Sequence, residues 1–170
     1  MPEKILVATD GSHPADRAVG VAIDIARARG AELVLLSVRE GGTLPDDLRH
    51  LAEVEHVVDS GASLPNAPAW LIDSLRRAKL EAEDEEIHAV IAHTALANAS
   101  DRVAKAGLTT PRAVEEKGDV AKAIVTVATR EDAAMIVMGC RGLGAVREWI
   151  EGSVSKSVAR KAPCPCVIVT

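Results

Sequence analysis

Two short stretches carry residue types suited to chemistry. One runs from Gly139 through Cys140, Arg141, Gly142 and Gly144 to Gly152-Ser153-Val154-Ser155, between the apolar run Met135–Met138 and a helical pattern. The other, Thr9-Asp10-Gly11-Ser12, follows the apolar run Ile5-Leu6-Val7-Ala8. A glycine-rich turn lets backbone N–H groups approach an anion without Cβ obstruction, and the start of a following helix adds the positive end of its dipole. Gly152-Ser153 opens such a helix, and Ser153 and Ser155 supply hydroxyl donors that suit phosphate oxygens. The chemistry these residues offer is anion binding. Neither G-x-x-x-x-G-K-[ST] nor G-x-G-x-x-G is present, because the spacing is Gly139-x-x-Gly142-x-Gly144. A plain strand-to-helix connection whose glycines only make turns is the alternative that the residues leave open.

The other reactive side chains are less specific. Asp10 before Gly11 suits an Asx turn or a helix cap as well as a ligand contact. Arg141 and Arg147 have the reach for phosphates, as many surface arginines do. Cys140 is either an inert small residue or a redox-sensitive thiol. Cys164 and Cys166 have nothing beside them in sequence to complete a metal site, and three cysteines do not make a disulfide framework, so a reducing cytoplasm is expected. The 5 histidines are scattered, and His13, the one near the second stretch, reads as an exposed loop residue. No carboxylate cluster announces a metal site. No general base sits beside a group that would position a nucleophile, which argues against an enzyme.

The elements that must position these residues alternate between strand and helix. Ile5–Ala8 reads as a first strand. Residues 15–29 carry Ala18, Val19, Ala22, Ile23 and Ala26 at helical spacing, with Gly30 as the stop. Leu33–Val38 is a second strand. Residues 40–68, with Gly41-Gly42, Pro45, Gly61, Pro65 and Pro68, form an irregular insertion with a helical turn around 46–58. A helix-rich stretch over 69–106 is interrupted by the acidic run Glu81–Glu86, read as a solvated face, and ends at Gly107. As one helix it would span ~57 Å, too long for a domain of this size, so a break or bend is expected. Arg112–Glu115 is a short strand. Gly118-Asp119 caps a helix with the stripe Val120, Ala123, Ile124, Val127 and Ala128, Met135–Met138 is the fourth strand, Ser153–Lys161 a helix, and Cys166–Val169 the fifth strand. Strands apolar on both faces and separated by helices imply a parallel sheet covered on both sides, a doubly wound α/β fold.

Composition bounds the rest. The 170 residues suit one domain spanning 1–170, because domains cluster at about 100–150 residues. At 48% hydrophobic with Trp70 and Trp149 as its aromatics, the chain must build an aliphatic core and lacks the stacking platforms of single-strand binders. A formal charge of −5 argues against nucleic-acid and anionic-membrane partners. No apolar run approaches the ~20 residues that span a bilayer, and MPEKILVATDGS does not read as a signal peptide.

Gly139-x2-Gly142-x9-Gly152-Ser153 resembles the nucleotide-binding signature G-x2-G-x9-G-[ST] of the universal stress protein family. The resemblance extends to KILVATDGS, to GDVAKAIVTVATREDAAMIVMG and to RKAPCPCVIV, in that order, and so covers most of the chain. It implies a five-stranded parallel sheet in the order 3-2-1-4-5, which places Asp10 beside Gly139–Gly142, and helices on both faces. It implies ATP as ligand: Ala8 and Thr9 line the base pocket, Asp10 holds the ribose or the adenine edge, Val38 packs on the adenine face, and Met138 is a further nucleotide-binding residue. Gly139 and Gly142 let ribose and phosphates come close, Arg141 stands within reach of them, and Gly152, Ser153, Val154 and Ser155 hold the phosphates, with Mg2+ carried on them. It further implies a stress-response or regulatory switch with weak or no hydrolysis, and a homodimer through Cys166–Val169. The alternatives are a slow ATPase and a member that binds no nucleotide and acts through protein contacts. At the level of fold, flavodoxin-like and electron-transfer flavoprotein-like domains are the rivals.

Overall fold

The computed structural model describes residues 2–39, 84–140 and 153–170. The chain runs β1 (Lys4–Ala8), α1 (His13–Arg29), β2 (Glu32–Arg39), α2 (Asp84–Lys105), β3 (Arg112–Lys117), α3 (Val120–Arg130), β4 (Met135–Gly139), α4 (Ser153–Lys161) and β5 (Cys166–Val169). The strands form one five-stranded sheet in the order β3-β2-β1-β4-β5, and every pairing is parallel. Strand order reverses between β1 and β4.

Alternation along the strands splits the core in two. Ile5, Val7, Leu33, Leu35 and Val137 pack with α1 and α2, whose Ala18, Val19, Ala22, Leu96 and Val103 cover that face. Leu6, Val34, Leu36, Ile136 and Met138 pack on the other face against Ile124, Val127 and Ala128 of α3 and Val158 of α4. Each central strand is thus apolar on both sides because helices cover both. The expectation of two-sided apolar strands fails at the edges. In β3 only Val114 is buried, and its neighbours are Arg112, Glu115, Glu116 and Lys117; β5 leaves Ile168 40% exposed.

Several boundaries also move. α1 begins at His13 instead of residue 15, since Ser12 is the N-cap, accepting from the Ala15 amide at 3.3 Å, and Pro14 is tolerated in a first turn whose N–H groups lack helical partners. His13 is accordingly an exposed helix residue, not a loop one. β2 and β3 continue to Arg39 and Lys117, which are register partners, and an Arg39–Glu115 ion pair at 2.6 Å crosses them. Charged residues are at home there because β3 is an edge. α2 is described from Asp84 and ends before Gly107, whose φ of 74° turns the chain. The insertion at 40–68 and the expected helix over 69–83 lie outside the described residues. No described helix is long and apolar enough to cross a membrane.

Candidate ligand site at the carboxyl ends of β1 and β4

The register of the two central strands builds the site. Ala8 of β1 stands opposite Met138 of β4, so Thr9-Asp10 and Gly139-Cys140 leave the sheet side by side at the point where strand order reverses. The Thr9 amide still bonds the Leu36 carbonyl at 2.8 Å on one side. On the other, the Cys140 amide bonds the Val169 carbonyl, also at 2.8 Å. Open α/β sheets bind ligands in the crevice that such a reversal creates.

Side-chain oxygens organise the loop after β1. Thr9 Oγ1 accepts from the Gly11 amide at 3.2 Å, and Asp10 Oδ1 accepts from the Ser12 amide at 3.0 Å, an Asx turn. Gly11 takes φ 77°, a left-handed conformation that a Cβ disfavours. Ser12, fully buried, then caps α1. The bland reading of Asp10 as a turn former is therefore real; the cap itself is Ser12.

Gly139 has a structural reason of its own. A Cβ there would lie 2.9 Å from the Ala15 nitrogen and 2.9 Å from the Pro14 carbonyl carbon. The first turn of α1 fills the space that a side chain would need. The glycine brings a helix N-terminus hard against the end of β4.

Of the remaining expected site residues, Ala8, Val38, Met138 and Val154 each belong to, or pack against, the apolar cluster that covers the α3/α4 face of the sheet. Val154 ties the start of α4 to this floor. In the same first turn Ser155 is buried and Ser153 is exposed. Arg141, Gly142 and Gly152 lie outside the described residues, as do Arg147 and Trp149.

α1, α3 and α4 each follow a strand of a parallel sheet, so their N-termini gather at its carboxyl edge, where the positive dipole ends favour an anion. Ser12 caps α1, and Asp119 caps α3 by accepting from the Lys122 amide at 2.7 Å. Before α4 the sequence has Gly152, a residue with no side-chain acceptor to offer. Among the described residues no three His, Cys, Asp or Glu side chains stand together as a metal site.

Sequence reasoning missed Ser12 and the Pro14–Ala15 turn as parts of the site's frame, although Ser followed two residues later by Pro is a helix-start signal. It also missed the opposite, amino end of the sheet. There Glu131, buried, lies 3.3 Å from Lys4 Nζ, 3.3 Å from Arg112 and 3.7 Å from Arg130. Nothing in sequence marks this, because the cations come from three separate elements.

A doubly wound, all-parallel five-stranded sheet in the order β3-β2-β1-β4-β5, with helices on both faces, defines an α/β protein of the adenine nucleotide alpha hydrolase-like fold. The chain belongs to the universal stress protein family, whose sequence profile matches residues 1–55 and 47–170. It is 33% identical over 169 residues to a universal stress protein of Thermus aquaticus, covering 99% of each chain. Universal stress protein YxiE of Bacillus subtilis (strain 168) is 29% identical over 170 residues, again with 99% of each chain covered. Among solved structures, a universal stress protein in complex with cAMP superposes with a TM-score of 0.60 at 27% identity, over 99% of this chain and 97% of that one.

Proposed function

We propose that this chain binds an adenine nucleotide, ATP, at the carboxyl ends of β1 and β4 and acts as a stress-response or regulatory switch with weak or no hydrolysis. The observation that carries the reading is the Ala8–Met138 register, which sets Asp10 and Gly139 side by side above an apolar floor. Ala8, Thr9, Val38 and Met138 line the side that takes the base. Asp10 holds the ribose or the adenine edge. The main chain at Gly139 and Gly142, Arg141 and the α4 start, Gly152 to Ser155, serve the phosphates. Mg2+ travels on the phosphates. The solved relative in complex with cAMP supports the ligand class.

The test is to isolate the protein natively, denature it, and identify released nucleotide by mass spectrometry. Adenine nucleotide is expected, along with a higher melting temperature on adding ATP; neither appearing would end the proposal. Asp10→Ala and Gly142→Val are each expected to weaken binding at least tenfold, about 1.4 kcal/mol. Incubation with Mg-ATP separates switch from enzyme: turnover within the ordinary enzyme range of ~1–1000 per second would overturn the switch.

The same reading takes residues 1–170 as one cytoplasmic domain that pairs with a second copy through β5, leaving nucleic acid and membranes unbound. The two sheet edges differ in a way that favours this pairing. β3 carries four charged residues in RAVEEK, whereas β5 is CVIV with Ile168 exposed. An apolar edge invites a partner strand and a charged one repels it. Ile168→Lys should shift the sedimentation coefficient from dimer to monomer; a wild-type monomer rules the pairing out.

A further inference from the structure

Asp10 is held by a run of hydrogen bonds that starts in the ligand crevice and ends on another helix. Its Oδ1 accepts from the Ser12 amide at 3.0 Å. The Ser12 carbonyl accepts from the Asp16 amide at 2.8 Å, the bond that closes the first turn of α1. Asp16 is gripped in turn from α2, where Arg102 Nη1 donates to its main-chain carbonyl at 2.6 Å and also to its carboxylate. Arg102 has a firm base, because the next residue, Val103, is fully buried in the α1/α2 cluster.

Gly20 is the sign that this crossing is built into the fold. It lies one turn after Asp16, and a helical side chain leans over the preceding turn, so a side chain at 20 would cover Asp16. A Cβ there would stand 3.3 Å from Arg102 Nη2, tighter than ordinary van der Waals contact. Glycine weakens a helix interior, and the φ of Gly20 lies outside the left-handed region, so the backbone does not ask for it. The passing guanidinium supplies the reason. The same turn also meets β4, where Pro14 and Ala15 crowd Gly139. The first turn of α1, and with it the loop that carries Asp10, is thus fixed by both β4 and α2.

We propose that Arg102 is a positioning residue for the ligand site: acting through Asp16 and Ser12, it sets the Asp10 carboxylate for the nucleotide from outside the crevice. The inference rests on the reading of Asp10 as a nucleotide contact. An exposed ion pair adds little to stability, and the Arg102 and Asp16 side chains are 37% and 57% exposed. What the pair supplies is order. A carboxylate already held in its binding direction loses less freedom when the ligand arrives, so affinity gains where stability scarcely does. Arginine suits the task because its guanidinium is a planar fork, with Nη1 on Asp16 and Nη2 beside Gly20. Lysine keeps the charge but ends in a single nitrogen.

The experiment titrates nucleotide-stripped, full-length protein with ATP by calorimetry and follows amide hydrogen exchange by NMR before any ATP is added. Arg102→Met, which keeps the aliphatic stem, and Asp16→Ala should each weaken ATP binding roughly threefold to tenfold, with urea midpoints close to wild type. Arg102→Lys should recover part of the loss. In an Asp10→Ala background, Arg102→Met should weaken binding no further, because the carboxylate it positions is gone. Without ATP, the Ser12 and Asp16 amides should exchange faster in Arg102→Met than in wild type, while that of Ala22 should not. Circular dichroism establishes that each variant is folded. Absence of ATP binding by wild type would overturn the proposed function itself. ATP binding left unchanged by Arg102→Met would overturn the positioning role alone, as would a further loss in the Asp10→Ala background or unchanged exchange at Ser12.

Discussion

Gly139 at the end of β4 and Ala15 in the first turn of α1 approach so closely that a Cβ on the glycine would stand 2.9 Å from the alanine nitrogen. Because the neighbour is backbone, it has no rotamer with which to yield. Gly139→Ala should therefore push α1 off the sheet, at a cost of about 1–3 kcal/mol, as in other overpacked cores. Urea denaturation measures the loss. A variant as stable as wild type would mean that the turn gives way freely. The displacement also spoils the crevice, so ligand-induced stabilisation should fall with it.

Glu131 is expected to matter more than any exposed ion pair. Its carboxylate is buried among Lys4, Arg112 and Arg130, and it joins the start of β1, the start of β3 and the end of α3. Lys4 and Arg112 reach it from partly solvated positions, so the cost of breaking the cluster falls below that of a fully buried pair. Glu131→Gln should destabilise by about 1–3 kcal/mol, read from the urea midpoint. The effect should persist in 1 M salt, which screens surface pairs far more than buried ones. A Gln variant within error of wild type would show that the amide satisfies the three cations' hydrogen bonds unaided.

Asp119 offers a milder test at the start of α3. Its side chain accepts from the Lys122 amide at 2.7 Å, and the residue is exposed, so replacing it disturbs little but the cap. Asp119→Ala should cost about 1 kcal/mol, and Asp119→Ser should recover most of it. Equal melting temperatures for the Ala and Ser variants would place the stabilisation elsewhere.

Sequence periodicity located the central strands and α4 well because their burial is two-sided and their helical stripe regular. β4 differed from expectation by one residue, Gly139, and β5 and α4 not at all. It stopped β3 at Glu115, two residues early, because charges read as loop when nothing in the string says that a strand lies at an edge. The apolar spacing that marks α1 starts at residue 15, whereas the Ser12 cap places its first turn at His13 and Pro14. The juxtaposition of Asp10 and Gly139 followed only from family resemblance, since parallel register is a long-range property that no local pattern encodes. The Glu131 cluster was illegible for the same reason. The steric reason for glycine at 139 is equally non-local, because the helix turn that crowds it, Pro14–Ala15, comes from the other end of the chain.

The last prediction concerns pH. Burial pushes the Cys164 thiol above the ordinary thiol range, and the neighbouring charge of an ionised Cys166 pushes it further. Burial alone raises Cys166. In the unfolded chain both thiols ionise around their usual value of about 8.5. A raised folded-state pKa means that the native protein holds these protons where the unfolded chain has released them. The resulting stability is fully present below the unfolded value and is lost as pH rises through the folded one. Near pH 8.5, then, iodoacetamide should alkylate Cys164 and Cys166 more slowly in native protein than in urea, because the thiolate is the nucleophile. The native rate should keep climbing at pH values where the unfolded rate has levelled off. Peptide mass spectrometry follows each cysteine separately. Equal native and denatured rates at pH 8.5 would show that neither burial nor the neighbouring thiol restrains ionisation at the start of β5.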